Sequence, residues 1–219
     1  MTTRRFFNEE LQQLKLEVEG LAEDTKNVLS TSVDALYNSD LKTAQRIIDE
    51  DHVYNEKEQH INDSALIMIA KQQPVASDLR RLIAAIKISS DLERMADHGK
   101  NIAKATLFLG DDHPISVHPT IRKMMENAVS MVDIATKGYH NEDISFAKLL
   151  AEKDDKVDEL YGQVTKDLLE LTANNPDQIQ YIMQTAYTAR YIERFADHLT
   201  NIGESILYLV KGVSYDLNE

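Results

Sequence analysis

The chain has no cysteine and no tryptophan, and only four prolines and seven glycines among 219 residues. Without cysteine there is no disulfide framework and no thiolate metal site, which fits a reducing compartment and makes the cytoplasm the expected location. Scarce turn formers mean few loops and long regular elements, a pattern that favours helices. The longest apolar run is residues 65–70, far short of the ~20 residues that span a bilayer. Residues 1–7 are charged and lack a signal-peptide core, so a protein without direct membrane insertion is expected. Positive charge is also short: 24 basic against 37 acidic residues give a formal charge of -13. That balance repels phosphate backbones and anionic lipid, so nucleic acid is not an expected partner. Gly-rich phosphate loops and nucleophile motifs are missing too, and no Glu-x-x-His occurs.

What is present is helical periodicity, with 42% hydrophobic residues to fill a core. Leu11, Leu14, Val18, Leu21, Val28 and Ala35 recur at three- and four-residue spacing and predict a helix over about residues 7–37. Asp40 is a good N-cap for a second helix running to about residue 71, and Pro74 opens a third that reaches about residue 109. Gly110, Asp111, Asp112, His113 and Pro114 then cluster as a linker, which places the boundary between a first unit, 1–110, and a second, 111–219. The second unit repeats the plan, with a helix over about 117–139, another N-capped near Asp143, and a third opened by Pro176. Two decapeptides 100 residues apart, ERMADHGKNI from Glu93 and ERFADHLTNI from Glu193, agree at seven of ten positions. The expected fold is therefore all-α, a tandem repeat of two pseudo-symmetric three-helix bundles. In each third helix a heptad-spaced stripe (Leu82, Ser89, Ala96, Ala103; Ile182, Ala189, Ala196, Gly203) offers mostly small residues to neighbouring helices.

Carboxylates decorate the same helices. Glu93, Asp97 and Asn101 are spaced four apart and so share one side of a helix, as do Glu193, Asp197 and Asn201. The preceding helices carry Asp51, Asn55 and Glu58 in the first unit and Asp154 and Asp158 in the second. Counting back from each connecting turn places Asn55 level with Glu93 and Asp51 level with Asp97; likewise Asp158 is level with Glu193 and Asp154 with Asp197. Oxygen donors therefore converge twice between antiparallel helices, where mutual repulsion calls for a cation; iron, manganese, magnesium, calcium and zinc all accept such ligands. His98 and His198 are turned about 100° from that face and are poor ligand candidates. His52 reads as a surface residue, and Arg94 and Arg194 as partners of nearby acids.

Gln73-Pro74, Ser77-Asp78-Leu79-Arg80 and the two E-R-x-x-D-H-x-x-N-I stretches resemble the PhoU family over nearly the whole chain. The resemblance implies paired E(D)-x-x-x-D metal sites, with iron or zinc as the metal, carried here by Glu93 and Asp97, Glu193 and Asp197, and Asp154 and Asp158. Asp51 with Asn55 departs from a strict acid pair, which weakens the first site. It also implies a non-catalytic homodimer that represses phosphate uptake and the starvation response. Its implied partners are the ATPase subunit of a phosphate ABC transporter and a sensor histidine kinase. Two other functions compete: a carboxylate-bridged di-metal enzyme, whose Glu-x-x-His signature is missing, and a metal-free helical adaptor with an acidic face.

Overall fold

The computed structural model describes residues 2–112 and 116–213, and every regular element among them is helical. The first helix, α1 (Thr2–Asn38), begins five residues before the periodicity suggests and buries Leu14, Val18, Leu21, Val28 and Ala35 along one stripe. Asp40 caps α2 (Leu41–Glu50), its side chain accepting from the Thr43 amide at 3.0 Å.

The single helix expected to about residue 71 is instead broken, with α3 (His52–Gln72) starting just beyond Asp51. Two local bonds account for the break. The Tyr54 amide donates to the Asp51 carbonyl at 3.1 Å, a three-residue step that tightens the turn, and His52 Nδ1 lies 2.9 Å from the Asp49 carbonyl. The fourth helix, α4 (Ser77–Leu109), starts three residues after Pro74 because Gln73 and Ala76 both take positive φ, at 47° and 49°. It ends at Gly110, whose φ of 73° favours glycine. His113 and Pro114 of the predicted linker lie outside the described residues.

The second half contains α5 (Thr120–Asn141), α6 (Ser145–Asn174), a 3-10 turn at Pro176–Gln178, and α7 (Ile179–Lys211). Asp143 supports the start of α6 by accepting from the Ser145 amide at 2.9 Å. Each half thus repeats one three-helix plan, the first with its middle helix broken in two.

The packing is a closed circuit of four helices: α1 lies on α4, α4 on α7, α7 on α5, and α5 on α1. The broken pair α2–α3 covers α1 and α4, while α6 covers α5 and α7. One apolar cluster runs from Phe7 and Leu21 through Leu92 and Met95 to Phe195 and Ile206, so the two repeats share a core. The stripe residues Leu82, Ser89, Ala96, Ala103, Ile182, Ala189, Ala196 and Gly203 are all buried. Close approach is sharpest at Gly99, where an added Cβ falls 2.4 Å from Val28 Cγ1. Among the described residues no helix is long and apolar enough to cross a membrane.

Candidate metal centre

In the second repeat the groove between α6 and α7 gathers carboxylates. Val157 and Leu160 on α6, with Ile192 and Ala196 on α7, are buried and lock the two helices in register. Residues beside those anchors then face each other across the groove. Asp158, Glu193 and Asp197 each bring a carboxylate oxygen within 4.8 Å of the other two. Asp154 stands one turn along α6, part-buried and within electrostatic reach of all three.

The electrostatics reflect crowding. Burial, reinforced by Asp158 and Asp197, pushes the Asp154 carboxyl up to about 7. Burial and Asp197 push Glu193 up to about 6, and burial with Asp197 also raises Asp158. Two arginines reach in from the rim: Arg190 holds Glu193 Oε1 at 2.5 Å, and Arg194 holds Asp197 Oδ2 at 3.0 Å. They leave inner oxygens unserved. Glu193 is 9% exposed, yet its Oε2 has no hydrogen-bond partner, and neither has the buried Oδ1 of Asp154. A buried carboxylate oxygen without a donor is costly, and its natural complement is a cation. The donor set fits one: oxygens spread over 4.8 Å need only small side-chain rotations to close on an ion at ~2.0–2.6 Å. Asp158, Glu193 and Asp197 would hold the metal, with Asp154 beside them.

The first repeat is built differently. Asp51, at the break between α2 and α3, and Asp97 on α4 are joined by the same ammonium, Lys100 Nζ, at 2.7 Å and 2.5 Å. Burial works against charge on Lys100, but its bonds to Asp51 and Asp97 outweigh it and hold the ammonium above its usual range. Glu93 is raised by burial, with Asp97, Glu58 and Asp51 adding to the effect and Lys100 opposing it. Glu58 Oε1 accepts from Asn62 at 2.5 Å and from Ser90 at 2.8 Å.

The three asparagines are not drawn into either cluster. Asn55 is exposed, Asn101 Oδ1 accepts from Lys104 Nζ at 3.4 Å, and Asn201 donates to Asp91 Oδ1 at 3.4 Å across the α4–α7 seam. The histidines occupy that seam. His198 Nδ1 lies 3.0 Å from Asp91 Oδ1, and the His98 ring is sandwiched between His198 and Tyr191. Burial, then His198, lowers His98 to about 4.

Lys100, Arg190 and Asp91 are the site residues that motif reading passed over. One signal pointed to Lys100: it follows Asp97 by three residues, and it is a position where the decapeptides differ, with Thr200 as its counterpart.

Fold and site together define an all-helical tandem-repeat protein with a carboxylate groove in each half. The PhoU domain model matches the chain twice, at residues 18–106 and 121–206, and the chain belongs to the PhoU family. It is 33% identical, over 94% of its length and 87% of the relative's, to the phosphate-specific transport system accessory protein PhoU homolog of Rhizobium meliloti (strain 1021). It is 30% identical, over 99% of its length and 100% of the relative's, to the protein of the same name from Clostridium acetobutylicum. The crystal structure of the phosphate transport system regulatory protein PhoU from Streptococcus pneumoniae superimposes with a TM-score of 0.90 at 31% identity, covering 96% of this chain and 99% of that one. PhoU from Pseudomonas aeruginosa gives 0.87 at 28% identity, covering 94% and 100%.

Proposed function

We propose that this chain is a regulatory accessory protein of phosphate transport, acting without catalysis in the cytoplasm. In this reading it restrains phosphate uptake and the phosphate-starvation response. It does so as a homodimer that contacts the ATPase subunit of a phosphate ABC transporter and a sensor histidine kinase. The observation that carries the reading is full-length similarity to accessory and regulatory proteins of that system, in sequence and in fold. A metal ion, iron or zinc, belongs to the same reading; its support is the unpartnered Glu193 oxygen inside the cluster of Asp158, Glu193 and Asp197. There it would act as a charge clamp that cross-links α6 to α7 and neutralises the groove surface offered to partners.

Deletion of the gene in its native host tests the role. Phosphate-starvation genes should stay on in phosphate-rich medium and be silenced again by the chain supplied in trans. Normal repression in the deletion strain would overturn the assignment. Co-purification of the tagged chain should recover the transporter ATPase and the kinase; recovery of neither from phosphate-rich cells would remove the proposed partners.

A further inference from the structure

We propose that the first repeat carries its own tethered cation, Lys100, in the place where the second repeat takes a metal ion, so that this chain binds metal in the second repeat alone. The inference rests on the metal-binding reading above and assigns the two halves unlike roles within it.

The third helices of the repeats align in sequence 100 positions apart, so Glu93 and Asp97 correspond to Glu193 and Asp197, and Lys100 to Thr200. Lys100 is three residues past Asp97, on the same helix face, and reaches across to Asp51 at 2.7 Å while holding Asp97 at 2.5 Å. Its side chain is 19% exposed and that of Asp51 15%, so this ammonium bridges two elements from inside the groove. Thr200 has no such reach. It is fully buried, and its hydroxyl turns back to the Asp197 carbonyl at 2.7 Å. The arginines of the second repeat do not substitute for Lys100, because Arg190 and Arg194 are 45% and 52% exposed and touch one outer oxygen each.

The state of the carboxylates follows these cations. Among the described residues, the buried acidic oxygens without a partner belong to Asp154 and Glu193, both in the second repeat. In the first repeat, Asp51 and Asp97 are served by Lys100, and Glu58 by Asn62 and Ser90. A divalent ion entering the first groove meets a fixed positive charge and must expel an ammonium that already has its ligands. In the second groove it meets open oxygens. Exposed Asn55 in place of Asp158 removes one more anionic donor from the first.

The test is metal content and zinc(II) or manganese(II) affinity of purified full-length variants, by elemental analysis and calorimetry, with circular dichroism to confirm folding. Glu193→Gln with Asp197→Asn should bring metal to background in an otherwise wild-type chain. Adding Lys100→Thr to that double variant should restore binding, at least tenfold tighter than the residual level, through Asp97 and Asp51. Lys100→Met, which keeps most of the side-chain volume, serves if the threonine variant does not fold. Metal retained by the double variant and lost on further change of Asp97→Asn would overturn the inference, as would a Lys100 variant that folds and gains nothing. Wild-type chain without affinity for either ion would instead overturn the metal-binding reading itself, and the inference with it.

Discussion

His98 and His198, equivalent residues of the two repeats, stack on each other across the seam of α4 and α7, with ring centroids 5.5 Å apart and planes inclined by 29°. The internal symmetry of the chain thus meets in this ring contact, and there it is broken: His198 faces Asp91, while His98 faces Tyr191. Asp91 and Tyr191 are themselves equivalent positions. The charge on the one explains why it takes the hydrogen bond and the ring of the other why it takes the stack.

His98→Ala should open a cavity at this seam and lower stability by about 1–3 kcal/mol in urea or thermal unfolding, with the helical signal kept at low temperature. A change below about 0.5 kcal/mol would show that the seam does not depend on the stack.

Gly99→Ala should destabilise by about 1–3 kcal/mol, because the new methyl falls on Val28 Cγ1 and a β-branched side chain on a helix has no free rotamer to retreat into. Val28→Ala in the same chain should recover part of that loss, since the other contacts of the added carbon, to the Val28 Cβ and carbonyl carbon, are at 3.5 Å. Strictly additive losses in the double variant would show that the two positions do not meet.

The turn between α5 and α6 is tied to α4 by a fork of two bonds, Arg81 to both oxygens of Glu142 at 2.7 Å and 2.9 Å. Those bonds hold the Glu142 carboxyl below its ordinary 4.5, so the unfolded chain takes up the proton first. The contribution is complete above about pH 4.5 and is lost as pH falls through the lowered value. Glu142→Gln should cost about 1 kcal/mol at pH 7, in keeping with a partly exposed bidentate pair, and close to nothing at pH 3. Equal losses at both pH values would point to a packing effect at the left-handed Glu142 backbone, φ 51°.

Fragments 1–109 and 112–219 should each be strongly helical by circular dichroism, since each holds a three-helix repeat. Each also loses half of the α1–α4–α7–α5 circuit and lays bare apolar residues such as Leu92 or Phe195. Mixed together, they should therefore form a 1:1 complex in sedimentation that is more stable than either alone. A largely unstructured fragment would count against a repeat that closes on its own, and the absence of any complex would count against the shared core.

Much of this was legible before any coordinates. Heptad and four-residue spacing places Leu14, Val18 and Leu21 on one helical stripe, because helical period and side-chain burial are local properties of the chain. The duplicated decapeptides carried the tandem plan, and counting residues from the turns set Asp158 level with Glu193 and Asp154 level with Asp197, because helical rise is constant. What the sequence could not settle depends on which groups share a space. Helix α2 ends just before Asp51 because the backbone there tightens and His52 competes for a carbonyl, in a stretch whose apolar period runs on. Asn101 and Asn201 have the right spacing, but each found a nearer partner, Lys104 and Asp91. Lys100 reads as one more surface lysine until α2 and α3 fold onto α4 and place Asp51 beside it. Burial of Glu193 with one oxygen unserved likewise arises only when α6 closes over α7, since desolvation belongs to the assembled groove and to no single helix.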